Sequence, residues 1–214
     1  MKILIISNGF GEDQIACNII KALQDDNPTT DIKAMPLVGQ GLAYIKCNSQ
    51  PLMTNPTFPS GGFIRSFSEL LKDIQAGLLK THLKQRKMIK TLQKNSDLII
   101  CVGDFFCLMM GSLKTTTPVV FLPTAKSDLF MKHSGFEKWW IKRKATKVFT
   151  RDKLTSDSMI KDNIPAIFVG NPMFDNLQPK GIPFNDNFAK NLITILPGSR
   201  EEAYSNLEKT LLIL

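Results

Sequence analysis

Short apolar runs alternate along the chain with stretches of helical period. The run KILIIS at residues 2–7 is continuous, β-branched and closed by Asn8-Gly9, which predicts a strand buried on both faces. Residues 13–24 then place Ile15, Ile19, Ala22 and Leu23 on one helical face. A weaker strand is expected at 31–38, and a Pro/Gly/Ser-rich loop at 49–62. Residues 64–95 predict one long helix, with Phe67, Leu70, Leu71, Ile74 and Leu78 at helical spacing. Further strands are expected at 96–103, 117–123, 147–150 and 165–172, with helices after Asp104 and over 138–145 and 151–163. Strands separated by helices imply a parallel sheet covered on both faces.

This pattern predicts an α/β fold: a Rossmann-like domain of about six strands over residues 1–176. Residues 177–190 have two prolines, a glycine and no periodicity, and predict a linker. Residues 191–214 then predict one more strand and helix, joined by Pro197-Gly198-Ser199-Arg200. A single β–α unit cannot bury both faces of its strand. The tail is therefore expected to be an edge addition or the first unit of a second, incomplete domain.

Composition narrows the class. The chain has 214 residues, 43% hydrophobic and 21% charged, as an ordinary globular protein has. No run reaches the roughly 20 apolar residues of a spanning helix, and the opening apolar run is too short for a signal peptide. Cys17, Cys47, Cys101 and Cys107 show no zinc spacing and predict reduced thiols in a cytoplasmic protein. The formal charge is +8, and residues 65–94 alone carry eight basic residues against Glu69 and Asp73. Residues 138–147, KWWIKRKATK, form a second basic cluster. Such charge implies anionic partners: a lipid surface, phosphorylated small molecules or nucleic acid. No nucleic-acid-binding module accompanies it, so nucleic acid is not expected as a partner.

In parallel α/β sheets, ligands sit beyond the carboxyl ends of the strands. After the first strand, Gly9 and Gly11 allow a tight turn before a helix, and Glu12 and Asp13 disfavour a phosphate there while suiting a sugar hydroxyl. Asp13 equally fits a helix cap. After the 96–103 strand, Asp104 is placed for general-base work or for capping the next helix. Lys126 suits a phosphate or plain solvation. His133 is expected to be neither ligand nor base, and His82 to lie on the surface. In the tail, Ser199 and Glu202 fit a capping box, while Gly198, Ser199 and Arg200 fit a phosphate site at a helix start. The two are compatible.

The segment ITILPGSREE resembles the strand–turn–helix that opens the nucleotide-sugar-binding domain of lipid-A-disaccharide synthases, two-domain glycosyltransferases of the GT-B fold. SNGFGEDQIACNIIKAL, DLIICVGD and AIFVGNPMFDNL are similar, in order and spacing, to three segments of that family's first domain. There are departures. Gly9 stands where the family has Glu, Phe105-Phe106-Cys107 follow Asp104, and Asn171 replaces a His. The chain thus resembles a divergent, lipid-A-disaccharide synthase-related type, over about the first half of a family member. The resemblance implies metal-free inverting transfer of a sugar from a nucleotide sugar, such as a UDP-sugar, to a lipid-linked acceptor, with no cofactor. It implies Asp104 as the group that helps deprotonate the acceptor and Gly198, Ser199 and Arg200 as donor-diphosphate ligands. Gly11, Glu12, Asp13 and Asn171 would line the acceptor side. The 64–95 helix would dock on an anionic membrane, making the protein peripheral at its inner face. The chain alone is expected to be inactive, and the alternative is a non-catalytic remnant or binding module for anionic membrane or phosphorylated ligands.

Overall fold

The computed structural model of the chain describes residues 1–55, 67–175, 193–196 and 202–213. Six parallel strands form one sheet: β1 (Lys2–Ser7), β2 (Asp31–Pro36), β3 (Leu98–Gly103), β4 (Val119–Pro123), β5 (Lys147–Phe149) and β6 (Ala166–Ile167), in the order β2-β1-β3-β4-β5-β6. The α/β, Rossmann-like expectation holds. β1 and β3 are buried along nearly their whole length and pair in register from Ile3↔Leu98 to Ser7↔Val102. Their unbroken apolar runs follow from having a helical layer on each face.

The two layers enclose two cores. On one face α1 (Gly11–Asp26) and α2 (Leu42–Lys46) pack Ile15, Ala16, Ile20 and Tyr44 against Ile3, Ile5, Ile100 and Val102. On the other, α4 (Leu78–Gln93), α5 (Phe105–Ser112), α6 (Gly135–Lys144) and α7 (Lys153–Lys161) pack Ile89, Leu108, Ile141 and Met159 against Leu4, Ile6, Cys101 and Phe121.

Several elements differ from the sequence expectation. The single helix expected over 64–95 is two, α3 (Phe67–Gln75) and α4, because the chain turns at Gly77 in the left-handed region (φ +97°). On α1 the buried face turns toward Ala16 and Ile20, and Ala22 is exposed. α2 was not foreseen. The strand expected at 165–172 shrinks to the two residues that find partners on β5. In the tail, α8 (Glu202–Leu211) forms, but residues 193–196 are not a strand and pair with none among the described residues. Pro197, Gly198, Ser199 and Arg200 lie outside the described residues, as does the whole of the expected linker, 177–190.

Candidate functional site

The chain leaves β1 toward β2 on one side, while β3 to β6 extend on the other. At such a switch point the loops diverge beyond the carboxyl ends of the strands and open a crevice. Here its walls are residues 8–12 after β1 and Asp104 after β3.

Successive loops are tied to one another by backbone. Asn8 N–H donates to Val102 O (3.2 Å) and Thr124 N–H donates to Gly103 O (3.0 Å). Gly9 adopts φ +102°, and a Cβ there would lie 2.6 Å from Val38 O, so only glycine fits. Two side chains complete the lacing. Thr124 Oγ1 donates to Glu12 Oε1 (3.1 Å), and Arg151 Nη1 donates to Thr124 O (2.8 Å). Glu12, Asp104, Thr124 and Arg151, all half-buried, thereby share the rim beyond β1, β3, β4 and β5. The sequence reading passed over Thr124 and Arg151. Each stands directly after a strand, so the rule that singled out Asp104 could have found both.

Asp104 is the N-cap of α5: its Oδ1 accepts from Cys107 N–H (3.0 Å). Oδ2 has no hydrogen-bond partner among the described residues. The residue is thus held in one orientation by its cap while keeping one oxygen able to accept a proton.

Asp13 is neither a cap nor an open rim group. The N-cap of α1 is Phe10, without a side-chain cap bond, and Gly11 opens the helix at an exposed position. Asp13 is 2% exposed. Ser7 Oγ donates to Asp13 Oδ1 (2.5 Å) and lies 2.6 Å from the buried Tyr44 hydroxyl. Burial, with a smaller contribution from the Glu12 charge, pushes the Asp13 carboxyl up to about 6, against the lowering effect of the Ser7 and Gly9 hydrogen bonds. Burial first, then the Asp13 charge, keeps the Tyr44 phenol protonated.

The other expected groups fall outside the crevice or face inward. Asn171 is half-buried and closes its own turn, its Oδ1 accepting from Met173 N–H (3.1 Å). Lys126 is half-buried and paired, its Nζ lying 2.9 Å from both oxygens of Glu137. His133 is buried beside that pair, and burial depresses its pKa. His82 is not a plain surface residue: its ring lies 4.9 Å from that of Phe106, and partial burial lowers its pKa. All four cysteines are free thiols. No group of metal-ligating side chains occurs among the described residues.

No protein-family model and no curated protein sequence matches the chain. Solved structures do match it. The S. aureus MnaA–UDP co-structure superposes with a TM-score of 0.57 at 12% identity, covering 86% of this chain and 48% of the other. A putative UDP-N-acetylglucosamine 2-epimerase from Listeria monocytogenes gives 0.57 at 11% identity, covering 81% and 45%. The UDP-GlcNAc 2-epimerase from Neisseria meningitidis bound to UDP-GlcNAc gives 0.54 at 14%, covering 82% and 47%. The likeness is one of fold. It is that of a Rossmann-like domain of the GT-B kind, and the chain spans about half the length of the structures it matches. No helix among the described residues is long and apolar enough to cross a membrane.

Proposed function

We propose that this chain is the acceptor-side half of a GT-B glycosyltransferase related to lipid-A-disaccharide synthase, acting with a second Rossmann-like domain that completes the nucleotide-sugar site. One observation carries the reading: Asp104 sits at the switch point of the sheet, fixed by its own helix cap with Oδ2 left to accept a proton. A hydroxyl of a lipid-linked acceptor hydrogen-bonded to Oδ2 would lose its proton as its oxygen attacks the sugar carbon. Arg151 supplies a positive charge on the same rim. Gly198, Ser199 and Arg200 would hold the donor diphosphate at a helix start, where backbone N–H groups and a guanidinium stabilise the leaving charge. Matches to structures that hold UDP or UDP-GlcNAc support a nucleotide sugar as the donor.

The names of the matching structures favour a second reading, 2-epimerisation of the nucleotide sugar itself. One experiment separates the two. The chain, together with a second nucleotide-binding domain, is incubated with UDP-GlcNAc with and without a lipid-linked acceptor, and products are resolved by chromatography. Transfer predicts UDP release that requires acceptor; epimerisation predicts an isomeric UDP-sugar without it. Asp104→Asn should abolish most turnover while leaving the melting temperature nearly unchanged, because Asn caps helices as well as Asp does. Full activity in Asp104→Asn would refute the assignment. Neither transfer nor isomerisation by the chain together with the second domain is the outcome a non-catalytic remnant predicts.

A further inference from the structure

α1 and α2, on the same face of the sheet, meet through two couples of side chains. Asp13 and Cys17 stand one turn apart on α1, and Tyr44 stands on α2 with Cys47 as the C-cap of that helix. Residues three or four apart share a helical face. The first couple meets through Ser7, whose Oγ donates to Asp13 and lies 2.6 Å from the Tyr44 hydroxyl. That register brings the second couple together. Cys17 belongs to the buried cluster between α1 and the sheet, Cys47 packs against the same cluster, and the two thiols interact directly. Cys47 Sγ is held in place by donating to Tyr44 O (3.3 Å).

Access separates the two sulfurs. Cys17 is 2% exposed, and burial, then the neighbouring Cys47, then the Asp13 charge keep its thiol protonated. Cys47 is only half-buried, so a small solute reaches it. A second thiol pair, Cys101 on β3 and Cys107 on α5, also interacts, but both of its members are 0% exposed and shut away from any oxidant. A thiol that meets solvent beside one that does not is the arrangement in which oxidation ends as a disulfide: the first takes up the oxidant and the second closes on it.

We propose that Cys17 and Cys47 form an oxidation site, at which a peroxide makes a disulfide between α1 and α2. Cys47 Sγ, as thiolate, attacks one oxygen of hydrogen peroxide. The O–O bond breaks, and the departing hydroxide leaves as water with the proton that Cys47 gave up. Cys17 Sγ then attacks the sulfenic sulfur of Cys47. The S–S bond forms, the S–O bond breaks, and the released hydroxide takes the Cys17 proton as a second water. The two sulfurs lose two electrons and the peroxide gains them. The bond ties the C-cap of α2 to α1 one turn beyond Asp13 and closes a loop of about 30 residues. Neither the site nor its test depends on sugar transfer.

The full chain is treated with hydrogen peroxide, and the peroxide is removed before the chain is unfolded. Thiols titrated after unfolding should fall from four to two, and the mass of the monomer should fall by about 2 Da. Trypsin cuts after Lys21 and Lys46, so Cys17 and Cys47 lie in separate peptides that should stay joined until reduced, whereas Cys101 and Cys107 share one peptide. The oxidised chain should melt roughly 5–15 °C above the reduced one. Cys47→Ser should keep its three remaining thiols, and Cys17→Ser should stop at a sulfenic acid on Cys47, trapped by dimedone. Persistence of all four thiols in the parent chain overturns the proposal. So does a link between Cys101 and Cys107, a cross-linked dimer, or sulfinic acid on Cys47 beside a free Cys17. A lower melting temperature on oxidation overturns it too, because the bond would then form only by distorting α2.

Discussion

The buried carboxyl of Asp13 makes the stability of the domain depend on pH in a direction opposite to that of most acids. Its pKa rises from 3.8 to about 6 on folding. The folded state therefore binds the proton more tightly than the unfolded chain does. The stabilisation is fully present below about pH 4 and is lost as pH rises through about 6. A shift of about 2 units corresponds to about 3 kcal/mol. The residue is almost wholly buried, so solvent screening removes little of this. Asp13→Asn is neutral at every pH and can still accept from Ser7 Oγ. Its amide N–H group costs something in a site built for two acceptor oxygens, but that cost is independent of pH. The stability difference, variant minus parent, should thus be about 3 kcal/mol more favourable to the variant at pH 8 than at pH 4. Urea denaturation followed by circular dichroism at both values measures it. Parallel stability curves for the two proteins would show that Asp13 does not titrate on folding and would refute the reasoning.

Two further substitutions probe the same corner of the molecule. Tyr44→Phe removes the buried hydroxyl 2.6 Å from Ser7 Oγ and should cost about 1 kcal/mol, read as a lower urea midpoint with an unchanged slope. Gly9→Ala forces a Cβ against the Val38 carbonyl in a left-handed conformation and should cost about 2 kcal/mol, whereas Gly11→Ala, with open space around it, should cost little; equal melting temperatures for the two variants would count against the loop geometry.

The central strands were legible because they are buried on both faces. Such strands read as continuous apolar runs, and β1, β3 and β4 lie where those runs are. The edge was not. The run from Ala166 onward is as apolar as the others, but pairing with the short β5 ends it at Ile167. Helical period carried the eye across Gly77, although the backbone there turns left-handed. The five-residue α2 is too short to show any period. Position after a strand was enough to single out Asp104, and the structure adds that its cap and a free oxygen coexist. Asp13 looked like a rim acid because an acid in the first turn of a helix usually is one. Its partner Ser7 also bonds Tyr44, which comes from a helix the sequence did not reveal, and this long-range link closes over the buried carboxyl. His82 was misplaced for the same reason, since its ring rests on Phe106 from a different helix.

The lacing of the crevice by Thr124 has a further consequence. Its amide, its carbonyl and its hydroxyl each reach a different loop: Gly103, Arg151 and Glu12. A guest in the crevice meets a single braced frame, because no one wall can give way without straining the other two. Under the proposed function, selectivity among acceptors would be set by fit to a fixed contour, and a change at Thr124 would be felt at three loops together.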